Sequence, residues 1–307
     1  MSPNHDRWYW DPEQIVRIQE LFGSSFEFPF RLVTYLGDSG LILIMVAGTF
    51  WVLGRHICYS ALLAVMIGAA LGSAVKVLTD VPRPEHADLV AYEAGTSPSF
   101  PSGHTFLAIS FWGALVFLGV IRTLVAVVIV ALVMISRLFL GVHYLADMIV
   151  GVALGLAAVT LAYAGVRLVL DRLTDEQKAM LMAAGLFGSL IMLPVTGDFP
   201  LGWEILGGLL GAGVGTLIEA RSVNYRPEQT DVAGQLTRLA IGAGGILLFV
   251  TLGSLLREVG GGAMLRATLF FGAGLWAMLA TPYILDRLGH SNSERRVSGE
   301  PDPAAQS

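Results

Sequence analysis

The chain has 307 residues, of which 54% are hydrophobic and 14% charged, and its mean hydropathy is +0.67. This composition is too apolar for a soluble protein of that length, so it predicts an all-α integral membrane protein in contact with a lipid bilayer. The net charge of -5 excludes a strongly basic surface, so no nucleic-acid partner is expected.

The N-terminal segment, residues 1–30, is predicted to lie at the membrane surface. Apolar side chains recur on one side of residues 11–22, and Glu13, Arg17 and Glu20 lie mostly on the other. A Trp-Tyr-Trp run at 8–10 precedes this helix, and such aromatic side chains anchor proteins at membrane interfaces. An ordinary surface helix is the alternative.

Apolar segments of membrane-crossing length follow, and they predict about nine transmembrane helices. They cover 32–53, 58–78, 105–121, 123–140, 145–170, 179–195, 202–220, 236–256 and 263–285. We expect a helical core over 31–172, additional transmembrane helices over 173–288, and a disordered polar tail over 289–307.

Glycines recur at four-residue spacing within these segments, which predicts helices that pack closely in lipid. The sets are Gly68 and Gly72, Gly151 and Gly155, and Gly207, Gly211 and Gly215. The bias of Lys and Arg among the loops predicts a cytoplasmic C-terminus.

Three polar clusters interrupt the apolar segments, and the alternation of spans brings all three to one membrane face, predicted to be extracytoplasmic. Their polar members are Lys76 and Arg83 in the first, Ser102, Gly103 and His104 in the second, and Arg137, His143 and Asp147 in the third. Charges beside membrane spans are costly, so such residues are typically functional. We therefore predict one site built from the three clusters.

The residue types in these clusters suit a phosphate group. Lys76, Arg83 and Arg137 supply three positive charges, and the guanidinium fork matches a tetrahedral oxyanion. Ser102 is a good helix N-cap, and Gly103 lets a backbone N–H approach an anion.

His143 and Asp147 are four residues apart, so on a helix the carboxylate would hold one imidazole nitrogen as N–H. The other nitrogen would keep its lone pair and could attack phosphorus. A structural His–Asp pair is the alternative for these two residues taken alone.

Together the clusters match K-x6-R-P at 76–84, P-S-G-H at 101–104 and S-R-x5-H-x3-D at 136–147. This ordered signature resembles that of the type 2 phosphatidic acid phosphatase superfamily, and it lies within the first 170 or so residues. Soluble vanadium haloperoxidases share the signature, but the membrane composition speaks against them. Typical bacterial members of the superfamily have six spans, fewer than the nine expected here, so the helices after residue 172 would include a C-terminal extension.

The resemblance implies a metal-independent phosphatase that needs no cofactor. The phosphate would be bound by Lys76, Arg83 and Arg137, with Ser102 and the amide of Gly103 on its remaining oxygens.

It also implies roles for the other three residues. His143 would be the nucleophile that forms a phosphohistidine, Asp147 would orient it, and His104 would protonate the leaving alkoxide.

The expected substrate is a lipid phosphate, of the phosphatidic acid, sphingoid-base phosphate or isoprenyl (pyro)phosphate class. Hydrolysis of a soluble sugar phosphate, as in the glucose-6-phosphatase branch, is the first alternative. A lipid or anion transporter is the second, although no carboxylate is clearly central in a span. The sequence leaves the oligomeric state open.

Other polar side chains are predicted to serve structure. Four lie in the loop above the site and are expected to form a solvated lid, with contact to a substrate headgroup as the alternative: Glu85, His86, Asp88 and Glu93. Three lie near the ends of later spans: Asp198, Glu204 and Glu219.

Overall fold

The computed structural model describes residues 3, 7–93, 95, 97–189 and 202–298, and these residues contain helices and loops but no strand. Helices α1 to α12, in order, are Glu13–Phe22, Glu27–Thr34, Ser39–Leu53, Arg55–Thr79, Gly103–Phe117, Thr123–Phe139, Leu145–Leu168, Asp175–Ser189, Gly202–Ser222, Val232–Glu258, Ala263–Leu275 and Thr281–Ser298. One π-helical turn, Trp276–Ala280, joins α11 to α12.

The described chain divides into two compact units. The first holds the chain up to Val46 and from Tyr59 to Leu173, and thus most of α1 to α7. The second holds Ala47–Cys58 together with the described chain from Thr174 onward, which includes α8 to α12.

Several helices are long and apolar enough to cross a membrane, so the protein is an integral membrane protein. By length and composition these are Arg55–Thr79, Leu145–Arg172, Val232–Glu258 and Ala263–Gly289. A bent pair, Ser24–Gly37 and Ser39–Leu53, makes a fifth if it is counted as one span. Four or five candidate spans are therefore found among the described residues, and the predicted nine are not confirmed.

Four predicted spans are missing from this set even when the bent pair is counted. One of them is 202–220: helix α9 has 21 residues but is not among the helices that are apolar enough to cross. Helices α5 and α6 are apolar but have only 15 and 17 residues, short of the ~20 that cross a bilayer without help from flanking residues. The predicted span 179–195 lies partly outside the described residues. Helix α12 reaches Ser298, so 289–298 of the predicted tail are helical, while 299–307 lie outside the described residues.

The predicted span 32–53 is not one continuous helix. Helix α2 ends at Thr34, α3 begins at Ser39, and the bent pair of which they form the main part turns through 53°. Oδ1 of Asp38 accepts hydrogen bonds from the backbone N–H groups of Gly40 at 2.9 Å and Leu41 at 3.1 Å. Because this side chain supplies an N-cap, it starts a new helix where the apolar pattern runs on.

Close glycine packing holds α5 in the first unit. A β-carbon added at Gly151 would lie 2.9 Å from Cβ of Thr105, and one at Gly155 would lie 2.6 Å from Cβ of Ile109. Both glycines lie on α7, so α7 approaches α5 more closely than any larger residue would allow. The prediction of glycine-mediated packing is confirmed here.

The second unit has still tighter contacts between α9 and α11. A β-carbon at Gly207 would collide with the carbonyl oxygen of Ala267, and one at Gly211 with that of Phe271. The two helices therefore touch backbone to backbone, which is how helices associate where lipid removes the hydrophobic driving force.

A buried ion pair links α4 to α9 in the second unit. The Arg55 guanidinium lies 2.8 Å from Oε2 of Glu219, and the two side chains are 7% and 0% exposed. Oε1 of Glu219 also accepts a hydrogen bond from the backbone N–H of Tyr225 at 2.7 Å. These contacts agree with the predicted structural role of Glu219.

Glu204 is also structural. Its Oε1 accepts hydrogen bonds from Arg257 at 2.7 Å and from Arg266 at 2.8 Å, so it joins α9 to α10 and α11. Asp198, the third carboxylate of the predicted set, lies outside the described residues.

Candidate active site

All eight predicted site residues lie in the first unit. Their positions are Lys76 near the end of α4, Arg83 in the loop after it, Ser102, Gly103 and His104 at the start of α5, Arg137 near the end of α6, His143 in the next loop, and Asp147 in the first turn of α7.

Direct contacts tie the three clusters together. NH1 of Arg83 donates to the carbonyl oxygen of Val142, beside His143, at 2.8 Å. The backbone N–H of Ser102 donates to the carbonyl oxygen of Asp147 at 3.1 Å. The first and second clusters therefore both meet the third.

The His143–Asp147 pair is present, but it is not built as the spacing predicted. Nδ1 of His143 lies 2.9 Å from Oδ2 of Asp147, and the residues are 2% and 0% exposed. His143 is in the loop before α7, whereas the prediction had both residues on one helix. Asp147 instead reaches back as the third residue of a capping box, and Oδ2 also accepts the N–H of Tyr144 at 3.0 Å.

Ser99 completes this group, and sequence reasoning missed it. Its hydroxyl donates to Oδ2 of Asp147 and lies 3.4 Å from Nδ1 of His143, and the residue is fully buried. Oδ1 of Asp147 is buried without a hydrogen-bond partner among the described residues. The sole sequence signal was a serine three positions before Ser102.

The loop between α4 and α5 encloses the first two cations. Nζ of Lys76 donates to the carbonyl oxygen of Pro98, and Nε of Arg83 donates to that of Ser97 at 3.1 Å. A β-carbon at Gly95 would collide with the Arg83 guanidinium. The loop therefore wraps closely around Arg83, and burial lowers the pKa of that guanidinium.

Arg137 is the most deeply buried of the cations. It is 3% exposed, and its NH1 donates to Oγ1 of Thr34 at 3.0 Å and to Oε2 of Glu93 at 2.6 Å. Its Nε is buried and has no hydrogen-bond partner among the described residues. An unused buried guanidinium N–H of this kind is available to an oxyanion.

The surroundings keep His143 neutral. Burial first, and then the positive charges of Arg137, Arg83 and Lys76, hold the pKa of its imidazole well below the usual 6.5. Since Asp147 is an acceptor, Nδ1 carries the proton and Nε2 carries the lone pair. His104 interacts with the charges of the same three cations.

The loop above the site is solvated in one part and held in another. The stretch 85–88 is exposed, as predicted for a lid. Further along, the side-chain amide of Gln19 donates to the carbonyl oxygen of Val90 at 2.8 Å and accepts the Val90 N–H at 3.1 Å. The second half of the loop is therefore fastened to α1.

The N-terminal aromatic run packs behind the site. Trp10 is 7% exposed, and its ring lies 5.2 Å from that of Tyr144 and 5.5 Å from that of Phe100. These rings flank His143 and the Pro-Ser-Gly-His turn. The prediction of an interfacial anchor is therefore wrong for Trp10, and it stays a prediction for Trp8, which is 60% exposed.

Metal ligands are not grouped in this region. Within the described ranges, no three His, Cys, Asp or Glu side chains are placed so that they could hold a metal ion.

Comparisons with known proteins identify the family. The model of the PAP2 superfamily matches residues 55–169, and the model described as PAP2 superfamily phosphatase, transmembrane extension, matches residues 203–293. Neither the curated proteins nor the solved structures gave a match. The resemblance carried by the three clusters is confirmed: the chain belongs to the PAP2 superfamily of membrane phosphatases, and its later helices form the transmembrane extension of such a phosphatase.

Proposed function

We propose that the protein hydrolyses a lipid phosphate monoester through a phosphohistidine at His143. The observation that carries this proposal is the buried, neutral imidazole whose Nδ1 faces Asp147, because it leaves Nε2 as a lone-pair donor beside three cations. An oriented base next to a fixed acceptor is the arrangement of an activated nucleophile.

In the first step, Nε2 of His143 attacks phosphorus and forms the P–N bond as the P–O bond to the alcohol breaks. The bonding pair leaves on the alkoxide oxygen, and His104 supplies the proton that converts it to the alcohol. The bound phosphate brings the negative charge that makes a protonated His104 favourable among the neighbouring cations.

In the second step, water attacks phosphorus and the P–N bond breaks. Its electron pair returns to Nε2 of His143, and His104 takes the proton that the water loses. The products are inorganic phosphate and free enzyme, so atoms and charges balance over the two steps.

Fixed positive charges take the part that a metal plays in other phosphatases. Lys76, Arg83 and Arg137 stabilise the phosphoryl oxygens, and the start of α5 adds the hydroxyl of Ser102 and the backbone N–H of Gly103. We therefore propose that turnover needs no divalent cation.

The positions of the site residues support a lipid as the substrate. They stand at the ends of apolar helices, where a headgroup meets the membrane surface while its chains stay in lipid. We also propose the topology that the Lys and Arg bias favours: an extracytoplasmic site, a cytoplasmic C-terminus and about nine spans.

The test measures phosphate release by purified protein in detergent with EDTA. Phosphatidic acid, sphingosine 1-phosphate, an isoprenyl pyrophosphate and glucose 6-phosphate are offered separately, at matched phosphate concentrations. We expect release from at least one amphiphile and little from the sugar phosphate. Preference for the sugar phosphate would overturn the lipid assignment, and loss of all activity in EDTA would overturn the metal independence.

The contact of Ser99 predicts a positioning role in this mechanism. We expect Ser99→Ala to lower kcat about tenfold, because a hydrogen bond to a buried charged group contributes about 1.5 kcal/mol and 1.4 kcal/mol is tenfold in rate. KM and the inhibition constant for inorganic phosphate should stay within about twofold, since Ser99 contacts none of the three cations.

Ser110→Ala is the matched control for Ser99→Ala. Ser110 is also fully buried, but its hydroxyl donates to the carbonyl oxygen of Phe106 on its own helix. It should keep the wild-type kcat. A parallel loss of kcat and of affinity for inorganic phosphate in Ser99→Ala would mean that the serine supports the fold and not the nucleophile.

A further inference from the structure

The carboxylate of Glu93 occupies one terminal N–H of the arginine that the mechanism assigns to phosphate, while Nε of that arginine stays without a partner among the described residues. Its Oε2 lies 2.6 Å from NH1 of Arg137. Carboxylate and phosphate oxygens bind a guanidinium through the same charge-assisted hydrogen bonds. A substrate phosphate that engages this N–H must therefore replace Glu93.

The backbone beside Glu93 is fastened to the end of the helix that carries Arg137. The ring of Tyr92 stacks on that of Phe139 with centroids 5.3 Å apart and an angle of 5° between the planes. The Tyr92 N–H donates to the carbonyl oxygen of Leu140 at 3.2 Å. Arg31 donates to the Tyr92 carbonyl oxygen.

These contacts hold the backbone of Glu93 in place, so only its side chain can move. The difference in burial between Glu93 and Arg137 determines which of the two side chains leaves the ion pair. The Glu93 side chain is 36% exposed, whereas that of Arg137 is 3% exposed. The carboxylate can therefore rotate into water and be solvated there. Arg137 cannot follow, because its NH1 also donates to Thr34 inside the protein.

We propose that Glu93 is a specificity residue that competes with phosphate for Arg137 and thereby sets the anion affinity of the site. The inference rests on the proposed function, since it takes Arg137 as a phosphate ligand. A dianionic phosphate ester displaces the carboxylate, whereas weaker anions do not. After hydrolysis the returning carboxylate helps to expel inorganic phosphate.

The test compares Glu93→Gln with the wild type in calorimetric titrations of inorganic phosphate and of orthovanadate, which need no turnover. We expect both dissociation constants to fall about tenfold in Glu93→Gln, the size of effect that one charge-assisted hydrogen bond supplies. Glu93→Ala, which lacks any side-chain acceptor, should give the same direction.

Asp88→Asn is the matched control, because Asp88 lies in the same loop and its side chain is 77% exposed. It removes the same charge without touching Arg137, so its dissociation constants should stay within about twofold of wild type. An equal fall in Asp88→Asn would show that the loop charge acts at long range, and the contact would then carry no specificity.

Two further outcomes overturn the proposal in different ways. Unchanged or weaker binding in both Glu93 variants would mean that Glu93 holds Arg137 in place without competing for it, while the phosphate site itself would stand. No binding of either anion by the wild type would remove the phosphate site, and with it the proposed function as a whole.

Discussion

His143→Ala is expected to reduce phosphate release by about a thousandfold or more, since removal of a nucleophile abolishes the covalent route. Binding should survive, because the three cations and the N-terminus of α5 remain. The measurement is kcat on the preferred amphiphile together with the dissociation constant of inorganic phosphate. We expect the first to collapse and the second to change by less than about threefold.

His86→Ala is the control for this variant. His86 lies in the exposed part of the loop above the site and should keep the wild-type kcat within about twofold. Trapping of radioactive phosphate on wild type quenched in alkaline detergent, where a P–N bond survives, and its absence in His143→Ala, would identify the covalent intermediate. Appreciable turnover in His143→Ala would exclude the phosphohistidine mechanism.

Glu219→Gln is expected to destabilise the second unit by about 3 kcal/mol, because it leaves the buried Arg55 guanidinium without its main counter-charge. Asp175, 3.1 Å from NH1 of Arg55 and partly exposed, compensates for only part of that charge. The measurement is the free energy of unfolding in mixed micelles, followed by tryptophan fluorescence.

Glu176→Gln is the matched control in the same unit. Glu176 pairs with Arg221 at 2.6 Å, but these side chains are 51% and 61% exposed. Water screens such a pair, so its loss should change the free energy of unfolding by no more than about 0.5 kcal/mol. Equal destabilisation by both variants would contradict the assignment of the Arg55–Glu219 pair as a buried support.

The sequence was a good guide where chemistry is local to a motif. Each cluster carries its residue types at fixed spacing, and the alternation of helices brings the clusters to one end of the first unit. Glycines at four-residue intervals predicted close packing for a similarly local reason, because only the missing β-carbon matters.

The sequence did not predict the contacts that depend on how the long loop between α4 and α5 folds. Ser99 meets Asp147 across 48 positions, and Glu93 meets Arg137 across 44, so neither contact has a periodic signature. Asp38 is a similar case. Its side chain caps the start of α3 and so divides a segment that the apolar pattern predicted to be one helix. His143 left the helix because the capping box of α7 begins at Tyr144.

The packing of Trp10 bears on how small a catalytic fragment of this chain can be. The superfamily match begins at residue 55, so a fragment cut there keeps all eight residues assigned to the reaction. It would still lack the indole that fills the space behind Tyr144 and Phe100. We therefore expect the functional boundary of the phosphatase to lie more than forty residues before the start of the superfamily match.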